Sequence, residues 1–352
     1  MTFKKQISSK GLPIFIIGAG GIVNTAHLPA YKMAGFNVQG IFDIDDNKAN
    51  ATADKFSIPH VFGNMQEMLA HTQPDAVFDI AVPGAQTIPV LEQLPAHCSV
   101  LLQKPMGENF DEAKRILKLV RQKKMNAGIN FQLRYAPYIL AAKELIDQNK
   151  IGELNDIEIN VNVYTPWHLW DFLFTSPRLE ILYHSIHYID LIRNLSGNPA
   201  SIYAKTTKHP AMPQLASVRS NIIMDYGEMM RANILTNHCH IYGLPKQQSY
   251  IKMEGSKGAV KINFGALIDY PRGAADSFEY ILMEECAQWQ EKKIEGSWFP
   301  EAFIGSMEQV MLAAEGIIDR PDNSVEDCIH TMACVEAAYR SSEQGGIKPE
   351  VL

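Results

Sequence analysis

Two hydrophobic rhythms divide the chain. In its first part, uninterrupted apolar runs of strand length, PIFIIG, FNVQGIFD, DAVFDIAV, CSVLLQ and MNAGINF, alternate with helix-periodic stretches long enough to be crossovers. Runs without polar alternation are buried on both faces, so this pattern predicts a parallel sheet wound with helices on both sides. From Leu154 the period changes to two: in LNDIEINVNV, Ile157, Ile159, Val161 and Val163 alternate with Glu158, Asn160 and Asn162. More strand-like runs follow at SIYAKTT, SVRSNIIMDY, MMRANILTN, SYIKMEG, GAVKINF and SFEYILME, with glycine turns between several of them. They predict a large, mostly antiparallel sheet with one face packed on helices and the other partly open. The expected fold is α/β, with an N-terminal Rossmann doubly wound parallel sheet over residues 1–130 and a C-terminal α+β domain with an open-faced sheet over residues 131–352.

Composition narrows the class. A chain of 352 residues exceeds one ordinary core, which agrees with two domains. Hydrophobic residues at 46%, charged residues at 20% and a formal charge of −7 describe a globular protein with no electrostatic reason to bind nucleic acid or an anionic membrane. No apolar run approaches the roughly 18 residues that span a bilayer. The lysines before LPIFII superficially imitate a signal peptide, but the run is short and leads into a glycine turn without a small-residue cleavage pattern, so it reads as the first core strand. Cys98, Cys239, Cys286, Cys328 and Cys334 are odd in number and lack CxxC spacing, as expected of reduced, mostly buried thiols in a cytoplasmic protein.

The first domain carries chemistry at its strand ends. After the first strand comes GAGGIVNTAHLPAY, with Gly18, Gly20, Gly21 and Ile22 placed to make a tight turn and bring backbone N–H groups against a pyrophosphate at a helix start. Val23 stands where the third glycine of GxGxxG belongs. The second strand ends in Asp43, twenty-five residues past Gly18, where a carboxylate would accept hydrogen bonds from an adenosine ribose. The same residue could cap the next helix. Asp45 and Asp46 follow and no arginine does, which favours NAD over NADP. In a doubly wound sheet ligands bind beyond the carboxyl ends of strands, so Gly18, Asp43, Pro83 and Lys104 should share one crevice. Lys104, which alone would read as a solvated strand-end residue, then projects where a nicotinamide and substrate meet.

These motifs resemble the glucose-fructose oxidoreductase and inositol dehydrogenase (Gfo/Idh/MocA) family along nearly the whole chain. IGAGGIVNTAHLPAY is similar to its opening fingerprint, DAVFDIAVPGAQT to its third strand and loop, LLQKPMGENFDEAKRI to its Glu-Lys-Pro segment, NFQLRYAPYI with KIGELNDIEI to the passage into its second domain, and SIHYIDLIRNLSGNP to a helix with a His-x-x-Asp element. The resemblance implies that Lys104 sits beside nicotinamide and substrate and that His187 acts in proton transfer. Three positions depart from the pattern: Thr87 replaces a loop histidine, Gln103 replaces the glutamate before the lysine, and Tyr183 stands where an aspartate commonly precedes the histidine.

Around those positions PRLEILYHSIHYIDLIRNL has helical spacing, which puts Glu180, Tyr183, His184 and His187 on one flank as a possible proton relay, with Tyr183 or Glu180 orienting His187. Satisfied interface side chains are the ordinary alternative for Tyr183 and His184. Trp167 and His168, in the aromatic stretch VYTPWHLWDFLFTSPR, are candidates for the substrate mouth, although core packing is the usual fate of such aromatics. His238 and His240 lack a third ligand by spacing, so no metal is expected. GSWFPEAF would add a site wall or a contact between copies, and the last helical stretches complete the fold. The expectation is an NAD(P)-dependent oxidoreductase for a sugar, sugar derivative or cyclitol, a homodimer or homotetramer through the second sheet. A ligand sensor without turnover and an enzyme recycling bound NAD for elimination or epimerisation are the alternatives.

Overall fold

The structure, a computed structural model, describes residues 11–347, so the lysines weighed above as a signal-peptide pattern lie outside the described residues. The chain forms two compact units. The first runs to Tyr135 and includes Phe299–Met332; the second comprises Ala136–Trp298 and the residues from Ala333 onward. The sequence boundary at 130 therefore differs in two places: residues 131–135 and the late segment 299–332 pack with the first unit.

In the first unit six parallel strands, β1 (Ile14–Ile17), β2 (Val38–Phe42), β3 (His60–Val61), β4 (Val77–Ile80), β5 (Ser99–Leu102) and β6 (Asn126–Ile129), are ordered β3-β2-β1-β4-β5-β6. All residues of β1, β4 and β5 are buried, which is why their sequences carry no alternation. β3 is two residues long, too short to leave a periodic trace. Side chains fix where the crossover helices begin. Asn64 accepts from Glu67 N–H, and Asn109 from Glu112 N–H while the Glu112 carboxylate accepts from Glu108 N–H. One face of the sheet is closed by the late helix Ala302–Ala314, whose Phe303, Met307, Val310 and Met311 join Ile14, Ile16 and Ile41 in a single core. That helix lies more than 170 residues from β6 in sequence, so no local pattern announces its place.

In the second unit eight strands, β7 (Leu154–Asn162), β8 (Ser201–Thr207), β9 (Arg219–Asp225), β10 (Arg231–Asn237), β11 (Gln248–Gly255), β12 (Gly258–Asn263), β13 (Ser277–Leu282) and β14 (Cys286–Glu291), are ordered β14-β13-β12-β11-β7-β10-β9-β8. Only β7 and β10 pair in parallel; the other neighbours are antiparallel. The two-residue period sets the register: Ile159 of β7 faces Ile251 of β11 and Ile234 of β10, so apolar rows continue from strand to strand. The helix Ile186–Ser196 packs on β7. β14 (CAQWQE) is an edge strand paired with β13; none of its residues is buried, so it carries no core-facing alternation to signal it. All five cysteines are free, and all but Cys286 are buried.

Candidate functional site

Because β2, β1, β4, β5 and β6 are parallel neighbours, their carboxyl ends share one edge of the first sheet. Main-chain bonds continue the ladder beyond the strands: Gly18 N–H to the Phe42 carbonyl at 2.8 Å, Ala81 N–H to Ile17 at 2.8 Å, Gln103 N–H to Ile80 at 2.9 Å and Asn130 N–H to Leu102 at 2.7 Å. Gly18, Asp43, Pro83 and Lys104 emerge along that edge, where a doubly wound sheet takes its ligands.

The glycines of the first turn answer to different constraints. Gly18 has φ +107°, and a Cβ there would lie 2.4 Å from the Ala81 carbonyl oxygen, so the fold itself requires glycine. At Gly20 and Gly21 φ is not positive, and a Cβ would meet nothing within 4 Å. No protein atom excludes a side chain at either position. Bare backbone facing open space at the start of the helix that continues through Ile22 fits a pyrophosphate approaching the amides. Val23, in place of the third glycine, is fully buried, and the helix passes through a π turn at Val23–His27 before Leu28–Ala34.

Asp43 is half-buried and braces this turn. Its Oδ2 accepts from Ala19 N–H at 2.6 Å and its Oδ1 from Asp45 N–H at 2.9 Å. Each carboxylate oxygen keeps a further lone pair for a ribose hydroxyl. The capping role considered for Asp43 falls to Asp45, whose Oδ1 accepts from Asn47 N–H and Lys48 N–H ahead of the helix Asp46–Phe56. Thr87 is buried at the start of the helix Thr87–Gln93.

Lys104 is partly exposed and precedes a cis peptide to Pro105. Burial lowers its amine from the usual lysine range to about 8, so it can gain or lose a proton near neutral pH. Gln103, the residue before it, ends a polar chain that the sequence reading did not anticipate. Asp79 Oδ2, fully buried in β4, accepts from Tyr31 Oη at 2.8 Å and lies 2.7 Å from His27 Nδ1. His27 Nε2 is 3.2 Å from Asn130 Nδ2, which donates to Gln103 Oε1 at 2.9 Å. The sequence signal was Asp79 itself, a carboxylate inside the apolar run DAVFDIAV.

In the second unit, the helix that carries the remaining candidates starts with a π turn, Ile181–Ser185, and continues as Ile186–Ser196. The extra residue per turn changes which side chains meet. Ser185 Oγ, five residues on, donates to Glu180 Oε1 at 2.8 Å, and His238 Nε2 lies 3.6 Å from the same oxygen. Burial pushes the Glu180 carboxyl up, but the nearby His238 imidazole and bonds from Ser220 and Ser185 outweigh it and hold it below the usual range. His184 stacks on His238 with ring centroids 4.3 Å apart, and Tyr183 meets Phe172 edge-on at 5.8 Å. His187, 7% exposed, packs edge-on against Trp298 at 5.5 Å. Trp167, considered for the substrate mouth, is 2% exposed: it sits in a core with Leu173, Leu179, Leu215, Val218 and Cys239, and its indole donates to the His238 carbonyl at 3.3 Å. His168 is exposed.

Comparison with known proteins agrees with this geometry. Residues 12–131 match the family model of the Gfo/Idh/MocA oxidoreductases with an NAD-binding Rossmann fold, and residues 139–261 match a Gfo/Idh/MocA C-terminal domain. The Salmonella typhimurium protein YceM is 28% identical over 198 residues, covering 55% of this chain and 60% of that protein. D-xylose 1-dehydrogenase (NADP(+)) 2 of Haloferax volcanii is 22% identical over 94% of this chain and 97% of its own length. Among solved structures, an oxidoreductase from Agrobacterium radiobacter in complex with NAD+, L-tartaric acid and magnesium superposes with a TM-score of 0.79 at 20% identity, covering 96% of this chain and 97% of the other. With both domain models matched in order, this chain belongs to the Gfo/Idh/MocA oxidoreductase family, and its first unit is an NAD-binding Rossmann domain.

Proposed function

We propose that the protein is an NAD-preferring dehydrogenase or reductase acting on a CH–OH group of a sugar, sugar derivative or cyclitol. The observation that carries this reading is Lys104: an amine lowered by burial to about 8, at the end of β5, on the strand edge that also bears the open glycine turn. A bound nicotinamide would supply the hydride exchange with the carbinol carbon. The amides at Gly20, Gly21 and Ile22 hold the pyrophosphate. Asp43 accepts from the adenosine ribose hydroxyls, and the carboxylates of Asp43, Asp45 and Asp46 repel a 2′-phosphate. In the oxidation direction the neutral Lys104 amine accepts the proton of the substrate hydroxyl, and in reduction the ammonium returns it. His187 is assigned the second proton-transfer role on the resemblance of its helix to the family's. Membership of the family and the name of the D-xylose relative support a polyhydroxylated substrate.

The test is absorbance at 340 nm with NAD or NADP against a panel of sugars, cyclitols and glycosides, with Lys104→Ala and His187→Ala as controls. Reduction of NAD by the intact protein, falling at least about 100-fold in kcat/KM in each variant, is the expected outcome. NAD binding without reduction of cofactor by any member of the panel would overturn the dehydrogenase reading.

A further inference from the structure

Side chains of the first helix reach back to hold the turn after β1. Asn24, half-buried and four residues past Gly20, makes the main contacts. Its Nδ2 lies 3.2 Å from the Ala19 carbonyl oxygen, 3.3 Å from the Gly20 carbonyl oxygen and 3.0 Å from Thr52 Oγ1. Carbonyl oxygens only accept, so the amino end of the amide is the end that faces them. The Gly20 oxygen also receives the Asn24 main-chain N–H at 3.3 Å, and the Thr25 hydroxyl donates to the Gly21 oxygen at 2.8 Å. The carbonyls of Ala19, Gly20 and Gly21 are thus all drawn towards Asn24 and Thr25. The peptide bonds that follow them are trans, and in a trans peptide the N–H points opposite to the C=O. The N–H groups of Gly20, Gly21 and Ile22 therefore point away from both side chains. The Ala19 N–H is not in this set, because Asp43 Oδ2 takes it at 2.6 Å. Thr52, 3% exposed, belongs to the helix Asp46–Phe56 that Asp45 caps, so Asn24 also ties the turn to the helix following Asp43.

We propose that Asn24 is a positioning residue for the cofactor, holding the Ala19–Gly20 and Gly20–Gly21 peptide planes so that the Gly20 and Gly21 N–H groups face the pyrophosphate. Thr25 does the same for the Gly21–Ile22 plane from an exposed position, where water competes for its bond. The turn needs such a strut because of its own residues. Gly20 and Gly21 have no side chains, and a Cβ at either would meet nothing within 4 Å, so neighbouring atoms do not fix these planes. Amides held in place before the anion arrives avoid the entropic penalty of ordering them on binding. The inference rests on the reading of this turn as the pyrophosphate site, and the experiment separates the two.

The purified full chain is titrated calorimetrically with NAD and with adenosine, and thermal melting checks folding. Adenosine carries the ribose that Asp43 would bind but no phosphate. Asn24→Leu keeps the bulk of the side chain and removes its donors. NAD affinity should fall at least about 10-fold, on the scale of one hydrogen bond to a charged group, while adenosine affinity stays within about twofold. Gly20→Ala is titrated in parallel. If NAD binding weakens in Gly20→Ala but not in Asn24→Leu, the pyrophosphate site stands and Asn24 does not position it, which overturns this inference alone. A parallel loss of NAD and adenosine in Asn24→Leu would mean a general loosening of the domain, and it too overturns the inference. Unchanged NAD binding in Gly20→Ala would put the pyrophosphate elsewhere, and both readings would fall together. Asn24→Ala, judged by the same two ligands, is the second variant if Asn24→Leu does not fold.

Discussion

Lys104 carries a cost in stability that depends on pH. Its amine titrates near 8 in the folded protein and near 10.4 in an unfolded chain, so between these values the unfolded state binds more protons. Stability therefore rises with pH from about 8 to about 10.4 on account of this residue, and below 8 the protein carries the cost of a partly buried ammonium. Lys104→Met should stabilise the ligand-free protein at pH 7 by roughly 1 kcal/mol, a value discounted because the side chain is partly exposed, and should flatten the rise between pH 8 and 10. Urea denaturation of both proteins at pH 7 and pH 9.5 checks this; an unchanged pH dependence would show that Lys104 is solvated like any surface lysine. Lys104 was legible as a candidate from the run before it and the proline after it. The state of its amine was not, because burial is a property of everything packed around it.

At the scale of the element, the turn after β1 separates what the fold needs from what a ligand needs. Gly18→Ala combines an unfavourable positive φ with a contact 2.4 Å from a carbonyl oxygen and should cost at least about 2 kcal/mol of stability. Gly20→Ala enters open space and should leave stability within about 0.5 kcal/mol while weakening NAD binding at least about 10-fold. Thermal melting and calorimetric NAD titration of both variants separate the cases, and a Gly20→Ala protein that binds NAD as tightly as the parent would exclude this turn as the pyrophosphate site. The two π turns mark the limit of pattern reading. Glu180, Tyr183, His184 and His187 were grouped by α-helical spacing, but the π turn at Ile181–Ser185 places Ser185 on Glu180 and His184 on His238. An inserted residue in a helical turn leaves the apolar periodicity nearly intact while it rotates the polar side chains, so the hydrophobic pattern does not report it.

At the scale of the whole molecule, the open face of the second sheet is the surface that sequence reading assigned to contacts between copies. Tyr203 of β8 and Ile223 of β9 are register partners and are 58% and 49% exposed, with Leu235 of β10 at 41%. If copies associate through this face, Ile223→Asp should shift the protein to monomer in sedimentation at micromolar concentration without lowering its melting temperature, whereas an unchanged sedimentation coefficient would move the contact elsewhere. By itself the sequence determined the two sheet types, the order along the chain of all their strands but β3 and β14, the strand ends that carry Gly18, Asp43 and Lys104, and the family. Each of these follows from local period, turn chemistry or motif spacing, which neighbouring residues suffice to set. Tertiary structure alone decided that Phe299–Met332 completes the first unit, that Trp167 is core, and that Asp79 reaches Gln103 through His27 and Asn130. Those outcomes depend on which distant surfaces exclude water together and on which buried polar atoms must then find partners, and neither is written in the order of residues along the chain.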